Sequence, residues 1–306
     1  MARLLPGPLS PDSLRRARRF QDGLGRLGLG MGSPAAGRGV EVVLGVDVDG
    51  GAWSVRVHRP PEPATGPRPA LLWIHGGGYV IGSASQDDDL CRLLARGLGL
   101  VVASVDYRLA PDHPFPAPLE DCHAALVWLA GLDEVDADRV AIGGASAGGG
   151  LAAGLAIMAR DRGVVSPALQ LLTYPMLDDR TVLREDIDET GFRLWGNRSN
   201  HYGWASYLGA EPGSDGLTAP AVPARCEDLS GLAPAWIGVG TLDLFLDEDL
   251  TYAERLRDAG VPCDVDVVDG GFHAFDRIAA RSRVARGVCL AQARALKRAL
   301  RIPANA

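Results

Sequence analysis

The sequence predicts an α/β protein whose mostly parallel central sheet has about eight strands and is flanked by helices. From about residue 70 onward, short apolar segments of strand length alternate with longer helical segments, which is typical of parallel sheets. Before that point, apolar residues alternate over 40–48 and again over 53–57, around a turn at 49–51. This second pattern indicates an antiparallel hairpin at the start of the sheet.

The remaining elements follow in order along the chain. A first helix is predicted from about residue 13 to 29, after the capping sequence SPD at 10–12. Six further strands are predicted at 70–74, 100–105, 140–142, 169–172, 235–239 and 265–268. Helices are predicted between or after them at 86–98, 118–129, 149–160, 250–259 and 285–298. Residues 178–217 break this rhythm, because they contain several aromatic side chains and no clear strand, and we interpret them as an inserted helical lid.

Composition and charge restrict the class of protein. The chain of 306 residues has 31 Lys and Arg against 38 Asp and Glu, a net charge of −7, which argues against a nucleic-acid partner. No apolar run approaches the ~18–20 residues that span a bilayer, and the amino terminus lacks the apolar core of a secretory signal. The odd number and wide spacing of the cysteines favour reduced thiols in a cytoplasm. They are Cys91, Cys122, Cys226, Cys263 and Cys289.

A candidate nucleophile lies in the sequence GASAG at 144–148, which matches G-x-S-x-G around Ser146. The motif follows a predicted strand and opens a predicted helix, which is the context that it requires. Small neighbours allow the sharp, strained turn that exposes such a serine at the carboxyl end of a sheet. A second glycine-rich sequence, HGGG at 75–78, also follows a strand. Consecutive glycines there can present several amide groups to one point, as an oxyanion hole requires.

A serine nucleophile needs a base, and the base needs an orienting carboxylate. Of six histidines, only His273 lies in a loop just after the last predicted strand, where α/β sheets place their sites. Asp243 follows the preceding strand closely, whereas the acidic residues at 247–249 are better explained by the dipole of the next helix. The chain order Ser146, Asp243, His273 is that of α/β-hydrolases.

The chain resembles the hormone-sensitive-lipase-like α/β-hydrolases, the bacterial carboxylesterase and lipase group with an HGGG motif. The resemblance runs from about residue 69 to 275 in five separated blocks. They are HGGGY at 75–79, DYRLAP at 106–111 with HPFPA at 113–117, GGASAGG at 143–149, GTLD at 240–243 and FHAF at 272–275. Two positions depart from the family pattern: Ala145 stands where Asp or Thr is usual, and 244–247 reads LFLD, more apolar than the family's PLRD.

The resemblance implies one α/β-hydrolase domain over 1–306, with a small helical cap from about 1–39 and 178–217. It also implies an oxyanion hole formed by the amides of Gly77, Gly78 and Ala147. Five aromatic residues are expected near the substrate: Tyr79, Trp195, Trp204, Tyr207 and Phe245. For Trp195, Trp204 and Tyr207, packing of the lid is an equal alternative to lining it.

We therefore expect a cytoplasmic serine hydrolase that cleaves small-molecule carboxylic esters, with short acyl chains implied by the resemblance alone. An amidase, lactonase or carbamate hydrolase on the same machinery, or a non-catalytic ligand-binding protein on a hydrolase scaffold, are the alternatives. No cofactor or metal is expected, since the G-x-G-x-x-G at 23–28 follows a helical pattern instead of a strand. The three aspartates at 87–89 suit a helix amino terminus. The resemblance also implies a homodimer through the last strand.

Overall fold

An eight-stranded sheet forms the centre of the protein in the computed structural model, which describes residues 10–16, 18, 40–46, 52–63 and 66–303. The strands are β1 (Val40–Val46), β2 (Ala52–His58), β3 (Arg68–Ile74), β4 (Val101–Asp106), β5 (Val135–Ala145), β6 (Gln170–Thr173), β7 (Ala235–Leu242) and β8 (Cys263–Phe272). Their order in the sheet is β1-β2-β4-β3-β5-β6-β7-β8. β2 is antiparallel to β1 and β4, and all other pairs are parallel. The predicted fold class is confirmed.

Helices cover both faces of this sheet. They are α1 (Asp88–Leu98), α2 (Ala117–Ala130), α3 (Ala147–Arg162), α4 (Asn197–Leu208), α5 (Leu246–Asp258), α6 (Phe275–Ile278) and α7 (Arg283–Ala299). Alternate residues of β3 point to opposite faces, so Leu72 joins a core with α2, α3 and α5, whereas Leu71 joins one with α1 and α7. Two apolar layers therefore hold the sheet between them.

The central strand β5 is much longer than the predicted strand at 140–142. Its first residues include polar positions at 136 and 138–139 that are exposed or half-buried, so they interrupt the apolar pattern. Its last residues are small but fully paired, and a methyl group on Gly143 would lie 2.9 Å from Leu171. The strand thus extends to Ala145, directly before Ser146.

Only part of the predicted first helix lies within the described residues. Residues 11–16 and 18 are helical, the Oγ of Ser10 accepts a hydrogen bond of 3.2 Å from the amide of Ser13, and Leu14 is buried in the core. The G-x-G-x-x-G at 23–28, the turn at 49–51 and most of the proposed cap segment 1–39 lie outside the described residues. None of the described helices is long and apolar enough to cross a membrane.

The inserted segment 178–217 contains two short 3-10 helices, Asp179–Leu183 and Glu189–Gly191, followed by α4. α4 lies directly against the glycine-rich loop after β3. A methyl group on Gly203 of α4 would be 2.9 Å from the carbonyl oxygen of Gly78. This close backbone contact places the inserted segment beside the carboxyl ends of the strands.

Candidate active site

The register of the sheet brings the predicted site residues together. Leu242 of β7 is the register partner of Phe272 of β8, so Asp243 and His273 are the next residues on neighbouring strands. Ala145 of β5 is the register partner of Thr173 of β6, and β6 lies between β5 and β7, so Ser146 follows a strand two places from β7 at the same edge. Because the carboxyl ends of parallel strands meet at one edge, residues distant in sequence converge there.

His273 lies between Ser146 and Asp243 and is hydrogen-bonded to both. Its Nε2 is 2.9 Å from the Oγ of Ser146, and its Nδ1 is 2.9 Å from Oδ2 and 3.1 Å from Oδ1 of Asp243. The amide of Phe245 donates a further hydrogen bond of 3.1 Å to Oδ1 of Asp243, which orients the carboxylate. Ser146 and His273 are each 6% exposed and Asp243 is 3% exposed, so little water surrounds them.

Ser146 occupies a sharp turn between β5 and α3. Its backbone angles are φ 58° and ψ −125°, a region that a non-glycine residue adopts only at a cost. Hydrogen bonds hold it there: its amide donates to the carbonyl of Thr173 at 2.9 Å, and its carbonyl accepts from Met176 and Gly150 at 3.0 Å each. A methyl group on Gly148 would overlap the backbone of Ile74, so the turn packs tightly against the end of β3.

The glycine loop, residues 75–82, begins at that same end of β3. Gly77 has φ +134° and Gly78 has φ +59°, conformations that suit glycine. The carbonyl of Gly77 accepts from the amides of Val80 and Ile81 at 3.1 Å each. Within the described part of the chain, no group accepts a hydrogen bond from the amides of Gly77, Gly78 or Ala147. Hydrogen bonding of these three amides to a ligand stays a prediction.

Three aromatic rings lie close to His273. The ring centroids of Tyr174, Phe245 and Trp195 lie 4.9, 5.3 and 6.1 Å from that of His273. The indole of Trp195 also covers Gly78, since a methyl group there would overlap it. The inserted segment therefore contributes an apolar wall above the base and the glycine loop.

Tyr79, Trp204 and Tyr207 are packed against one another. The ring of Tyr79 stacks on Tyr207 at 4.2 Å and lies 5.3 Å from Trp204, and all three side chains are at most 1% exposed. The hydroxyl of Tyr79 donates to the carbonyl of Met176 at 3.2 Å. The contacts seen for these three residues are packing contacts, and substrate contact by them stays a prediction.

Backbone strain is concentrated around this site. Six described residues other than glycine have positive φ, and five of them border it. They are Tyr79, Ser146, Tyr174, Leu194 and Ala274. Residues held in sparsely populated regions persist where the surrounding structure fixes them, and they cluster at functional sites.

A family comparison agrees with this architecture. Residues 71–277 match the family described as having the alpha/beta hydrolase fold. The chain belongs to this family. The resemblance inferred from the five sequence blocks is thereby confirmed.

Relatives and solved structures of this α/β-hydrolase include named esterases. Esterase LipI of Mycobacterium tuberculosis is 37% identical over 241 residues, which cover 76% of this chain and 74% of that protein. The ethyl acetate hydrolase of Pseudomonas putida is 36% identical over 238 residues, or 75% of this chain and 73% of that protein. The structure of a bacterial heroin esterase superposes with a TM-score of 0.83 at 35% identity, covering 95% of this chain and 92% of that one.

The histidine of the glycine loop has a structural role in this α/β-hydrolase. His75 is completely buried, and its ring stacks on Tyr107 at 4.3 Å. Burial lowers the pKa of His75, which keeps the ring neutral. The hydroxyl of Tyr107 donates to the carbonyl of His75 at 3.0 Å, so the pair fixes the start of the glycine loop.

The three aspartates at 87–89 are bound to protein side chains. Asp87 accepts from Trp73 and Arg277, Asp88 from Arg56, and Asp89 from Arg92. Asp88 and Asp89 lie in the first turn of α1, as the sequence predicts. No group of three or more metal-binding side chains occurs in the part of the chain that the structure describes.

Sequence reasoning assigned the acidic residues at 247–249 to the first turn of a helix, and α5 does begin at Leu246. It missed that Glu248 is buried and anchors the inserted segment. Its Oε1 accepts from the amides of Leu177 and Asp178 at 2.7 and 3.2 Å, and its Oε2 accepts from Thr181. Burial raises the pKa of Glu248 to about 8.

Tyr174 is a second residue that sequence reasoning missed. It follows β6, the strand between those that carry Ser146 and Asp243, so its place at a strand end was the available signal. Its hydroxyl donates to Oδ1 of Asp276 at 2.6 Å, and burial raises its pKa, which keeps it a donor. Its ring lies edge-on to that of His273, with the ring centroids 4.9 Å apart.

Proposed function

We propose that this protein is a serine hydrolase that cleaves carboxylic esters through an acyl-enzyme intermediate. The observation that carries the proposal is the continuous hydrogen-bonded line from Ser146 through His273 to Asp243. This arrangement of nucleophile, base and orienting carboxylate is the one that acyl transfer requires. The esterase names of the relatives support esters as the substrates.

In the first half of the reaction, the Oγ of Ser146 attacks the ester carbonyl carbon while Nε2 of His273 takes its proton. Asp243 holds the proton on Nδ1 and stabilises the imidazolium that forms. When the tetrahedral intermediate collapses, the bond between carbon and the alcohol oxygen breaks. The departing alcohol takes the proton from Nε2, and the acyl group stays on Ser146.

In the second half, water attacks the acyl-enzyme and gives its proton to Nε2 of His273. The bond from carbon to Oγ breaks, Oγ recovers the proton, and the carboxylic acid leaves. In both halves negative charge develops on the carbonyl oxygen. The amides of Gly77, Gly78 and Ala147 are the proposed donors to it, and one such donor is typically worth about 3–4 kcal/mol.

Trp195 and Phe245 are the proposed substrate-contacting walls, because both rings lie beside His273. Their apolar surfaces, together with the low exposure of Ser146, favour uncharged esters with short acyl chains. Tyr79, Trp204 and Tyr207 would support this wall from behind. Residues 178–217 thus act as a cap, together with the amino-terminal segment, of which Arg18 donates to the carbonyl of Val80 at 2.9 Å.

The proposal also includes a cytoplasmic location and a homodimer formed through β8. Four of the five free cysteines are buried, which suits reduced thiols in a cytoplasm. Among the described strands β8 pairs only with β7, so its other edge is open to a second copy. Size-exclusion chromatography with light scattering tests the dimer.

The experiment that tests the function compares p-nitrophenyl esters with the matching aryl amides, using wild-type protein and Ser146→Ala. We expect ester turnover to exceed amide turnover, and Ser146→Ala to lower kcat by at least about ten-thousand-fold. Amide turnover above ester turnover would instead identify an amidase. Ester turnover that persists in Ser146→Ala would refute the mechanism, and a wild-type protein that binds esters without turnover would identify a ligand-binding protein.

A further inference from the structure

We propose that Arg277 is a positioning residue that holds the histidine loop, residues 273–278, in register with the glycine loop. The inference rests on the proposed function, because it concerns how the base and the oxyanion donors of that site are kept together. It assigns Arg277 no contact with substrate. Its effect passes through Asp87 to Trp73 of β3 and through Gln86 to the backbone of Gly76.

On the histidine loop, Arg277 lies in the short helix α6, four residues after His273. Its Nη1 donates to Oδ1 of Asp87 at 2.6 Å, and its Nη2 donates to the carbonyl of Gln86 at 2.9 Å. Two bonds from one planar guanidinium fix both the distance and the orientation of the loop. Asp87 is only 5% exposed, so its carboxylate is shielded from water and the ion pair is strengthened.

Asp87 and Gln86, the two partners of Arg277, are in turn hydrogen-bonded to β3 and to the glycine loop that follows it. The Oδ2 of Asp87 accepts from the indole of Trp73 at 2.9 Å, one residue before the last residue of β3. The Nε2 of Gln86 donates to the carbonyl of Gly76 at 3.1 Å. Arg277 is therefore two hydrogen bonds away from the peptide that precedes the proposed donor Gly77.

Apolar packing supplies only part of this connection, since Phe275 of the histidine loop shares a core with Trp73 of β3. A cavity of about 360 Å³ adjoins these polar bonds, and its lining includes Gln86, Asp87, Asp276 and Arg277. Space in this region is left unfilled by side chains, so the polar bonds of Arg277 span it. Removing them would leave the two loops joined by that core, by Trp195 and by the sheet, without a direct polar link from Arg277 to Gln86 and Asp87.

The proposed acyl transfer requires the histidine loop and the glycine loop to keep a fixed relative position. The base on the histidine loop and the amide donors on the glycine loop must meet the same carbonyl group in the transition state. A misplacement of about 1 Å between such groups costs up to ~100-fold in rate. The loss falls on kcat, because ground-state binding depends less on this alignment.

The test measures kcat and KM for a soluble p-nitrophenyl ester with Arg277→Gln, Arg277→Lys, Asp87→Asn and the double variant Arg277→Gln/Asp87→Asn. We expect Arg277→Gln to lower kcat by about 10- to 100-fold with KM within about twofold of wild type. Arg277→Lys should recover part of the loss because it restores the charge. The double variant should be no slower than the slower single variant, since both remove one connection.

Arg162→Gln is the matched control, because Arg162 makes a similar two-bonded ion pair with Glu120 away from the site. Its kcat should equal that of wild type. A kcat in Arg277→Gln equal to that of Arg162→Gln would overturn the proposal, as would equal losses in Arg277→Lys and Arg277→Gln. If Arg277→Gln does not fold, Asp87→Asn and Arg277→Lys are compared with Arg162→Gln instead, and a kcat of Asp87→Asn equal to that of Arg162→Gln would overturn the proposal.

A readout without turnover separates this inference from the proposed function. The Nδ1 proton of His273, seen by NMR as a resonance shared with Asp243, should broaden in Arg277→Gln and stay sharp in Arg162→Gln. If wild-type protein turns over no ester, the proposed function fails, and an unchanged resonance in Arg277→Gln would then refute the positioning role independently.

Discussion

Asp243 illustrates how much one side chain contributes at the scale of a residue. Its two oxygens accept from Nδ1 of His273, and one also accepts from the amide of Phe245. An asparagine would fit the same space, but it would carry no charge to stabilise the imidazolium and would favour the wrong imidazole tautomer.

We predict that Asp243→Asn lowers kcat by about 10³- to 10⁴-fold with little change in KM. Steady-state kinetics on a soluble ester measure the effect. The control is Asp247→Asn. Asp247 is an exposed carboxylate in the first turn of α5 and pairs with Arg184 of the inserted segment, so its loss should leave kcat within about twofold of wild type. More than a tenth of the wild-type kcat in Asp243→Asn would mean that another group orients His273.

Gly78 permits a second prediction. Its φ of +59° resembles the +66° of Gly163, but a methyl group on Gly78 would overlap Trp195, whereas Gly163 faces open space. Gly78→Ala should therefore lower kcat by about 10²- to 10³-fold, the value of one oxyanion donor. Gly163→Ala carries the same backbone strain and should lose stability only.

Kinetics and thermal unfolding of both variants check this prediction. Equal activity in the two variants would show that the position of Gly78 is not critical. Addition of Trp195→Ala to Gly78→Ala removes the overlapping ring and should recover part of the loss.

At the residue scale, a motif combined with a position at a strand end identified candidate residues that the structure brings together. Ser146 and His273 were found in this way, and the register of the sheet brings them within hydrogen-bonding distance. The buried contacts of Glu248 and the proposed role of Arg277 could not be predicted in this way, because they depend on partners about 70 and 190 residues away in the chain. An acidic residue in the first turn of a helix is already explained by its favourable interaction with the helix dipole, so the sequence gives no sign of an additional long-range contact.

At the scale of elements, the first turn of α5 is joined to the start of the inserted segment by Glu248. Its side chain is buried, and its carboxyl group receives three hydrogen bonds from residues 177–181. Burial raises the pKa of Glu248 from its usual 4.5 to about 8. The folded state therefore holds this proton more tightly than the unfolded state does.

It follows that deprotonation of Glu248 lowers the free energy of unfolding progressively as the pH rises from about 4.5 to about 8. Above that range Glu248 causes no further change with pH. Glu248→Gln keeps an acceptor for the two amides and removes the titration. We predict that the free energy of unfolding of the variant, minus that of wild type, is several kcal/mol larger at pH 8.5 than at pH 5. Urea unfolding at these two pH values measures the difference.

The control for this prediction is Glu254→Gln, which removes an exposed carboxylate from the same helix. Its stability difference from wild type should be the same at both pH values. A pH-independent difference in Glu248→Gln as well would show that Glu248 does not titrate between them.

Element boundaries were predictable where the apolar pattern is continuous and not where polar residues or glycines interrupt it. β8 extends from Cys263 to Phe272, although its alternating aspartates and its two glycines limited the prediction to 265–268. The inserted segment could be recognised as an interruption, but not as two 3-10 helices and α4. Such short helices depend on contacts to distant residues, as Glu248 shows.

At the scale of the whole molecule, the site is assembled from two parts. The sheet supplies Ser146, Asp243, His273 and the glycine loop, and the inserted segment supplies Trp195. The alternation of strands and helices could be predicted because each strand in a parallel sheet needs a crossover helix. The contact of Trp195 with Gly78 could not, since it depends on how the inserted segment packs on that sheet.

This division predicts a change in substrate preference when the wall is removed. Trp195→Ala should raise the ratio of kcat/KM for p-nitrophenyl octanoate to that for the acetate by about tenfold, because space opens beside the acyl site. Leu183→Ala removes an exposed side chain of the same segment and should leave the ratio unchanged. An unchanged ratio in Trp195→Ala would place the acyl chain elsewhere.

The identity of the nucleophile is the central claim, and covalent labelling tests it most directly. A fluorophosphonate phosphonylates only an activated serine, so the labelled protein can be digested and its peptides mapped by mass spectrometry. We predict one phosphonyl group per chain, on the peptide that contains Ser146. Ester turnover should fall in proportion to labelling. The His273→Ala variant should be labelled much more slowly than wild type. Label on a different residue, or ester turnover that survives complete labelling of Ser146, would contradict the account.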